Sequence, residues 1–367
     1  MGNEEKIRVL VADDSAFMRK VLVSILDSDG SFEVVGEARD GRETVEKSAK
    51  LKPQVITMDI MMPHMDGLQA TEVIMSSDPR PILIVSSESR QGAEATLKAL
   101  ELGAIDFVAK PTSGIDLDMS TVRDEIVRKL RTASKVRVVR NIPRQVPPRV
   151  AQVRPTAMDF AAAPASTNGS KLPVVVLAAS TGGPATLMKL IPDLPANFPA
   201  AVLVVQHMPG GFTAQFAEQL AAVSQIPVKH AANGDVLIPG RIYVCPGDCH
   251  LRVVPPGRLA LDPGERIAGY RPCIDVTLES VANIVGANAA VAVLTGMGSD
   301  GARGVMAIAE NGGLVIAQDE ATSVIFGMPA EAIKTGAVSQ ILPLDQIAAA
   351  LSRRVAAPPR PLRVAAQ

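Results

Sequence analysis

Ser180 ends the run Val-Val-Val-Leu-Ala-Ala-Ser (174–180) and is followed by Thr181, Gly182, Gly183 and Pro184. An apolar run, a turn and then a helical pattern put this hydroxyl between a buried strand and a helix. At such a turn backbone N–H groups are free and a nucleophile can be exposed. Two further residues could complete its chemistry. His207 follows Val202–Val205 in Val-Val-Gln-His-Met-Pro, and Asp300 follows Val293–Leu294 in Leu-Thr-Gly-Met-Gly-Ser-Asp-Gly-Ala. A serine, an imidazole base and a carboxylate to orient the base form the minimum set for acyl transfer through a covalent ester. The chain order Ser, His, Asp and the lack of Gly-x-Ser-x-Gly speak against an α/β-hydrolase elbow and for an independent use of the same geometry. N–H groups near Thr181–Gly183 or Gly296–Gly298 are placed to stabilise an oxyanion. Taken singly, each residue has a plainer reading. The serine could be a helix N-cap or part of a phosphate-cradling loop, the histidine structural, and Ser-Asp-Gly a turn.

A second constellation lies near the N-terminus. Asp13 and Asp14 sit just past one short apolar run, and Asp59 past another, in Met-Asp-Ile-Met-Met-Pro-His-Met-Asp-Gly. Ser86 ends a third run, and Lys110, followed by Pro111, ends a fourth. Carboxylates that converge repel one another, and a hard divalent cation such as Mg²⁺ relieves the repulsion through oxygen ligands. A lysine adds a point charge suited to a phosphoryl oxygen. Asp59 would then be a carboxylate nucleophile that accepts a phosphoryl group, with the metal stabilising in-line transfer. Any one of these acids could be a simple loop or N-cap residue, but a matched set at strand ends makes that reading improbable. The remaining histidines are weaker candidates: His64 lies inside the acidic motif, and His230 and His250 read as loop residues. Cys245-x3-Cys249-His250 has poor spacing for zinc and no evident fourth ligand.

The elements that must position these groups follow from periodicity. Residues 7 to 112 alternate short apolar strands (Ile7–Ala12, Phe32–Ala38, Val55–Met58, Ile82–Val85, Asp106–Ala109) with helical segments, the last of them Ile115–Ser134. Five β/α pairs predict a doubly wound parallel sheet, whose strand C-termini share one edge. A second α/β pattern runs from about Leu172 to Leu351. Strands are expected at Val174–Ala178, Ala201–Val205, Ile242–Val244, Ala290–Leu294 and Leu314–Ala317. Between them, residues 128–154 carry many Lys/Arg and no acid, with Pro143, Pro147 and Pro148 interspersed, and Ala161–Ser170 is small and polar. That composition reads as a tether. The expected organisation is an N-terminal domain at 6–125, a basic linker at 126–171, a C-terminal domain at 172–355 and a frayed tail at 356–367.

Composition bounds the function. A chain of 367 residues with 47 % hydrophobic content suits two cored domains. Net charge is −1, with no Trp and few other aromatics. Neither nucleic-acid binding nor insertion in a membrane is expected. Three cysteines are too few for a disulfide framework, and no signal core precedes the first strand, so the cytoplasm is the expected compartment.

The set Asp-Asp, Asp-x-x-Met-Pro-x-Met-Asp-Gly, Ser and Lys-Pro resembles the response-regulator receiver domain, a flavodoxin-like fold. The resemblance implies phosphorylation on Asp59, with Asp13, Asp14, Asp59 and the Met61 carbonyl holding Mg²⁺. Ser86, Phe107 and Lys110 fall where receivers place their switch residues. Phe107 stands where Tyr is more familiar, so that ring offers no hydrogen bond. Ala-Ser-Thr-Gly-Gly-Pro, Gln-His-Met-Pro, Thr-Gly-Met-Gly-Ser-Asp-Gly and Gln-Asp-Glu-Ala-Thr-Ser-Val-Ile-Phe-Gly-Met-Pro (318–329) resemble the chemotaxis protein-glutamate methylesterases, the CheB family. That resemblance implies a mostly parallel α/β esterase domain that needs no cofactor for its chemistry. The implied reaction is hydrolysis of glutamate γ-methyl esters on chemoreceptors and deamidation of certain receptor glutamines. It implies Ser180 as nucleophile, His207 as base, Asp300 as orienter and the Met297 N–H as oxyanion donor. The implied partners are chemoreceptors and a histidine kinase as phosphodonor, with the unphosphorylated receiver covering the esterase site. Three other readings compete. A nucleotide-binding loop lacks its glycine and lysine pattern. A DNA-binding regulator lacks a basic recognition helix. A phospho-switched adaptor with an inert hydrolase-like domain is opposed by the complete Ser/His/Asp set.

Overall fold

The computed structural model describes residues 5–87, 89–110, 119–136 and 172–356. The predicted linker beyond residue 136 and the tail from residue 357 lie outside these residues. The N-terminal unit runs β1 (Ile7–Ala12), α1 (Ala16–Asp29), β2 (Phe32–Ala38), α2 (Gly41–Leu51), β3 (Val55–Met58), α3 (Gly67–Ser77), β4 (Ile82–Ser86), α4 (Arg90–Glu101), β5 (Asp106–Ala109) and α5 (Met119–Ala133). The sheet order is β2-β1-β3-β4-β5, all parallel. Strands β3 and β4 are buried along their whole length, as a sheet covered on both faces requires. Local chemistry sets the helix ends. Ser15 caps α1 by accepting from the Met18 N–H, and Asp66 and Gln69 form a reciprocal capping box at α3.

Helix α5 ends within a residue of the expected Ser134 and moves only the domain bound, since it carries the N-terminal unit past residue 125. Ile126, Val127, Leu130 and Ala133 recur at helical spacing and are buried in the N-terminal core. The Lys/Arg content between them suggested a tether, but Arg131 lies on the exposed side of an amphipathic helix and Lys129 is buried against Asp106.

The C-terminal unit runs β6 (Val174–Ala179), α6 (Gly183–Leu190), β7 (Ala201–Gln206), α7 (Gly210–Val223), β8 (Val228–His230), β9 (Arg241–Val244), β10 (His250–Val254), β11 (Arg258–Asp262), α8 (Ile274–Val285), β12 (Ala289–Val293), α9 (Ala302–Glu310), β13 (Leu314–Gln318), α10 (Met328–Lys334), β14 (Gln340–Leu342) and α11 (Leu344–Ala356). Seven strands form one parallel sheet in the order β14-β13-β12-β6-β7-β9-β8, and β10 and β11 pair as a separate antiparallel hairpin. Strand β6 is central. The chain builds outward to one side through β7 and β9, then returns to β12 on the other. That reversal makes the C-terminal edge of β6 a topological switch point, where open α/β sheets place their sites. The short strands β8 and β14 and the hairpin have too little apolar alternation to stand out in the sequence.

The two units pack together. Helix α4 lies against α6 and α7, and the rings of Phe107 (β5) and Phe212 (α7) meet with centroids 4.4 Å apart. Among the described residues no helix is long and apolar enough to cross a membrane.

Candidate active site

Three strand ends converge at the switch point. Ser180 follows β6, His207 follows β7 and Asp300 lies in the loop after β12. The turn at Ser180 is made possible by Gly182, whose φ of +76° is in the left-handed region and whose missing Cβ leaves room for Val324. The loop after β12 comes close because Gly296 has no side chain. A Cβ there would stand 2.8 Å from the Ser180 Cβ. The Ser180 N–H donates to the Thr295 carbonyl at 3.1 Å, and the Thr295 hydroxyl donates to the Thr181 carbonyl at 3.0 Å.

The His207 imidazole is oriented by Asp300. Nε2 and Asp300 Oδ2 are 2.7 Å apart. Since the carboxylate can only accept, Nε2 carries the proton and Nδ1 is the basic nitrogen. Nδ1 is buried and has no hydrogen-bond partner. Asp300 caps the start of α8, accepting from the Ile274 and Asp275 N–H groups at 2.7 and 3.0 Å and from the Cys273 thiol at 3.2 Å. Burial pushes its carboxyl up. The hydrogen bond and charge of His207 and the two backbone donors outweigh that, holding it below the ordinary carboxylate value. Burial and the Asp300 charge push the Cys273 thiol up to about 12, so it stays a donor. Tyr270 stacks on the imidazole with centroids 4.3 Å apart and planes 15° from parallel.

Ser180, His207 and Tyr270 line a pocket of about 370 Å³, with Arg266 and Arg271 at its side. Its other wall comes from the N-terminal unit: Asp124, Glu125, Arg128 and Lys129 of α5. The two units are joined here by polar contacts. The Thr181 hydroxyl donates to Asp106 Oδ2 at 2.5 Å, and Lys129 Nζ holds Asp106 Oδ1 at 3.3 Å. The Met297 Sδ lies 3.7 Å from Arg128 Nη1. Two of the expected oxyanion donors are already used. The Gly183 N–H donates to the Ser180 carbonyl and the Gly296 N–H to the Ile325 carbonyl.

The acidic constellation also assembles. Carboxylate oxygens of Asp13, Asp14 and Asp59 lie within 4.8 Å of one another. Lys110 Nζ is 2.9 Å from both Asp13 and Asp59. Burial raises the Asp59 carboxyl above its ordinary value, opposed by Lys110 and reinforced by Asp13 and Asp14. Such crowded acids are a donor set for a hard divalent cation. Met61 sits exposed beside them, and Ser86 is buried with Oγ 3.4 Å from the Gly92 carbonyl.

Several residues carry no signal in the sequence alone. Tyr270 lies in an irregular loop, Thr181 reads as part of a turn, and Asp106 reads as strand. His230 and His250, expected in loops, lie in β8 and at the start of β10. His250 is structural: Nδ1 accepts from the Cys273 N–H and Nε2 meets the Glu265 carbonyl.

Comparison with known proteins matches the same two units. The sequence profile for CheB methylesterase matches residues 175–351, and that for the response regulator receiver domain matches residues 9–120. A protein-glutamate methylesterase/protein-glutamine glutaminase of Pyrococcus abyssi is 46 % identical over 356 residues, covering 95 % of this chain and 94 % of the relative. One of the same name from Symbiobacterium thermophilum is 45 % identical over 356 residues, covering 96 % and 98 %. The crystal structure of the Thermotoga maritima CheB methylesterase catalytic domain is 42 % identical and covers 50 % of this chain and 98 % of that one, with a TM-score of 0.48.

Proposed function

The chain belongs to the CheB methylesterase family and is a phosphorylation-regulated protein-glutamate methylesterase and protein-glutamine glutaminase of chemotaxis; from that premise we propose that Ser180, His207 and Asp300 carry its chemistry. The observation that supports this most directly is the 2.7 Å pair of His207 Nε2 with Asp300, on an imidazole that shares its pocket with Ser180.

In the proposed cycle His207 Nδ1 takes the Ser180 Oγ proton as Oγ attacks the γ-ester carbonyl carbon. The tetrahedral oxyanion is met by the Met297 N–H. The C–O bond to the methoxy group breaks, and the proton on Nδ1 goes to the departing oxygen, releasing methanol. Water then gives a proton to Nδ1 as its oxygen attacks the acyl-serine carbonyl carbon; the C–Oγ bond breaks, Nδ1 returns that proton to Ser180 Oγ, and the glutamate side chain leaves as its carboxylate after losing its own proton to solvent. With a glutamine substrate the leaving group is ammonia. Asp300 stays ionised throughout and stabilises the imidazolium.

The switch lies in the receiver. Asp13, Asp14, Asp59 and the Met61 carbonyl would hold Mg²⁺, which when bound neutralises charge on the incoming phosphoryl group. Asp59 accepts that group, and Lys110, now bonded to Asp59 and Asp13, is placed to move onto it, with Ser86 and Phe107 as switch residues. In the unphosphorylated state α5 walls the esterase pocket and blocks the receptor substrate. The receiver on this reading runs through Ala133, the esterase domain from 172 to the end of α11, and the compartment is the cytoplasm. The substrates are methylated chemoreceptors and the phosphodonor is the chemotaxis histidine kinase.

Methanol release from methylated receptors, with and without a small phosphodonor, tests the reading. Ser180→Ala should lower the stimulated rate by several orders of magnitude. A folded Ser180→Ala protein with near-normal release would overturn the assignment.

A further inference from the structure

We propose that Gln206 is a positioning residue whose side-chain amide ties the nucleophile turn to the base turn. Gln206 is the last residue of β7 and pairs in register with Ala179, the last of β6. Ser180 and His207 therefore each lie one step past the final paired position. The backbone ladder reaches one bond further, from the His207 N–H to the Ala179 carbonyl at 3.0 Å. Beyond that point the chains diverge into α6 and α7. The Gln206 side chain supplies the next link. Its Nε2 donates to the Ser180 carbonyl at 2.9 Å and to the His207 carbonyl at 3.0 Å. An amide NH₂ has two hydrogens, so each carbonyl takes one.

Stability alone does not account for this amide. Its Oε1 is buried and has no partner, and an unpaired buried acceptor costs free energy that an apolar side chain of the same shape would not. The Ser180 carbonyl already accepts from the Gly183 N–H at 2.8 Å, so it does not need the second donor to be satisfied. The neighbourhood is nonetheless built to admit the amide. A Cβ on Gly183 would collide with Oε1, and only glycine leaves the space open. What the amide adds is a fixed separation between two main-chain atoms, one belonging to the nucleophile and one to the base. Because Nε2 of the imidazole is anchored to Asp300, fixing the His207 main chain sets where Nδ1 stands relative to Ser180 Oγ. A misplacement of about 1 Å between reacting groups costs roughly 100-fold in rate.

The inference rests on the assignment of Ser180 and His207 above, and its test separates the two. Gln206→Met keeps the side-chain length and removes both donors. In the full chain, activated by Mg²⁺ and a small phosphodonor, it should lower kcat for methanol release by about 10- to 100-fold with KM within about twofold. Labelling of Ser180 by an organophosphonate should slow by a similar factor. Gln206→Asn, which keeps the amide but is one methylene short of spanning both carbonyls, should show the same split. A folded Gln206→Met protein with kcat within about twofold of wild type overturns the inference, even if its Tm changes. If that variant does not fold, the same criterion applied to Gln206→Asn decides. Ser180→Ala run in parallel keeps the outcomes distinct. Loss of activity there beside a normal Gln206→Met protein removes only this inference, whereas an active Ser180→Ala protein removes the site assignment itself.

Discussion

Replacing Thr181 by Val removes one hydroxyl and keeps the branched shape of the side chain. In the structure that hydroxyl donates to Asp106 Oδ2 across the domain boundary, while Lys129 holds the other carboxylate oxygen at 3.3 Å. Thr181 and Asp106 are both buried in the closed arrangement. With valine, Oδ2 loses this donor when the domains are together but regains water when they part, so the cost falls on the closed form alone. A hydrogen bond to a charged group is worth about 1.5–3 kcal/mol net. At about 1.4 kcal/mol per factor of ten, the closed-to-open ratio should fall roughly 10- to 150-fold. If closure is what limits the unphosphorylated enzyme, basal methanol release should rise by at least about tenfold. The ceiling is the rate of the fully phosphorylated wild-type chain. The assay is methanol release from methylated receptor at zero and saturating phosphodonor, for both proteins. Basal release within twofold of wild type, with an unchanged stimulated rate, would refute the idea that this bond holds the cover in place. An equal fall in both rates would instead mean that Thr181 serves the chemistry, being next to the nucleophile.

Two further outcomes are expected. Asp300→Asn should lower kcat by roughly 10⁴-fold, the loss typical of a triad aspartate made neutral. Its effect on stability has a defined sign. The Asp300 carboxyl is held below its ordinary value of 3.8 in the folded protein, so its charge stabilises the fold above that pH, and this contribution disappears as pH falls through the lower folded value. Urea unfolding of the two proteins should therefore differ most from about pH 4 upward and converge below it; a gap that widens on acidification would contradict the assignment. Gly296→Ala puts a Cβ 2.8 Å from the Ser180 Cβ, closer than real side chains approach. The nucleophile must shift, and kcat should drop by about 10- to 100-fold while receptor binding, measured by pull-down, is retained.

The convergence of the candidate residues was legible because both main sheets are parallel. In such sheets every strand delivers its C-terminal neighbour to the same edge, so Asp13, Asp59 and Lys110, or Ser180, His207 and Asp300, are neighbours by topology even when far apart in sequence. Periodicity also placed β6, β7 and β12 within a residue of their observed limits, since these strands are apolar runs buried on both faces. Other features had no local signature. The helix to Ser134 was legible by spacing, but a domain bound at 125 followed the basic composition that starts at Arg128, whereas Ile126, Val127 and Leu130 are buried in the N-terminal core. Tyr270 reaches His207 from a loop with no repeating pattern. The contacts of Asp106 with Thr181 and of Phe107 with Phe212 depend on how two independent units dock, which no spacing within either unit encodes. Gln206 was visible as a polar residue at a strand end, but its two acceptors are main-chain atoms, which sequence does not distinguish.

Strand β5 joins two of these features. Asp106 meets the turn after Ser180 and Phe107 meets the helix that follows His207, while Lys110, just beyond the same strand, pairs with Asp59, the proposed phosphate acceptor. Lys110 is four residue steps along the extended chain from Asp106, about 13 Å at the rise of a β-strand. On the proposed reading, receipt of the signal and release of the cover therefore fall to one short, stiff strand. A one-residue change of register between Asp106 and Lys110 would turn one end of the strand to the opposite face, so the Thr181 contact and the Asp59 contact could no longer be made together.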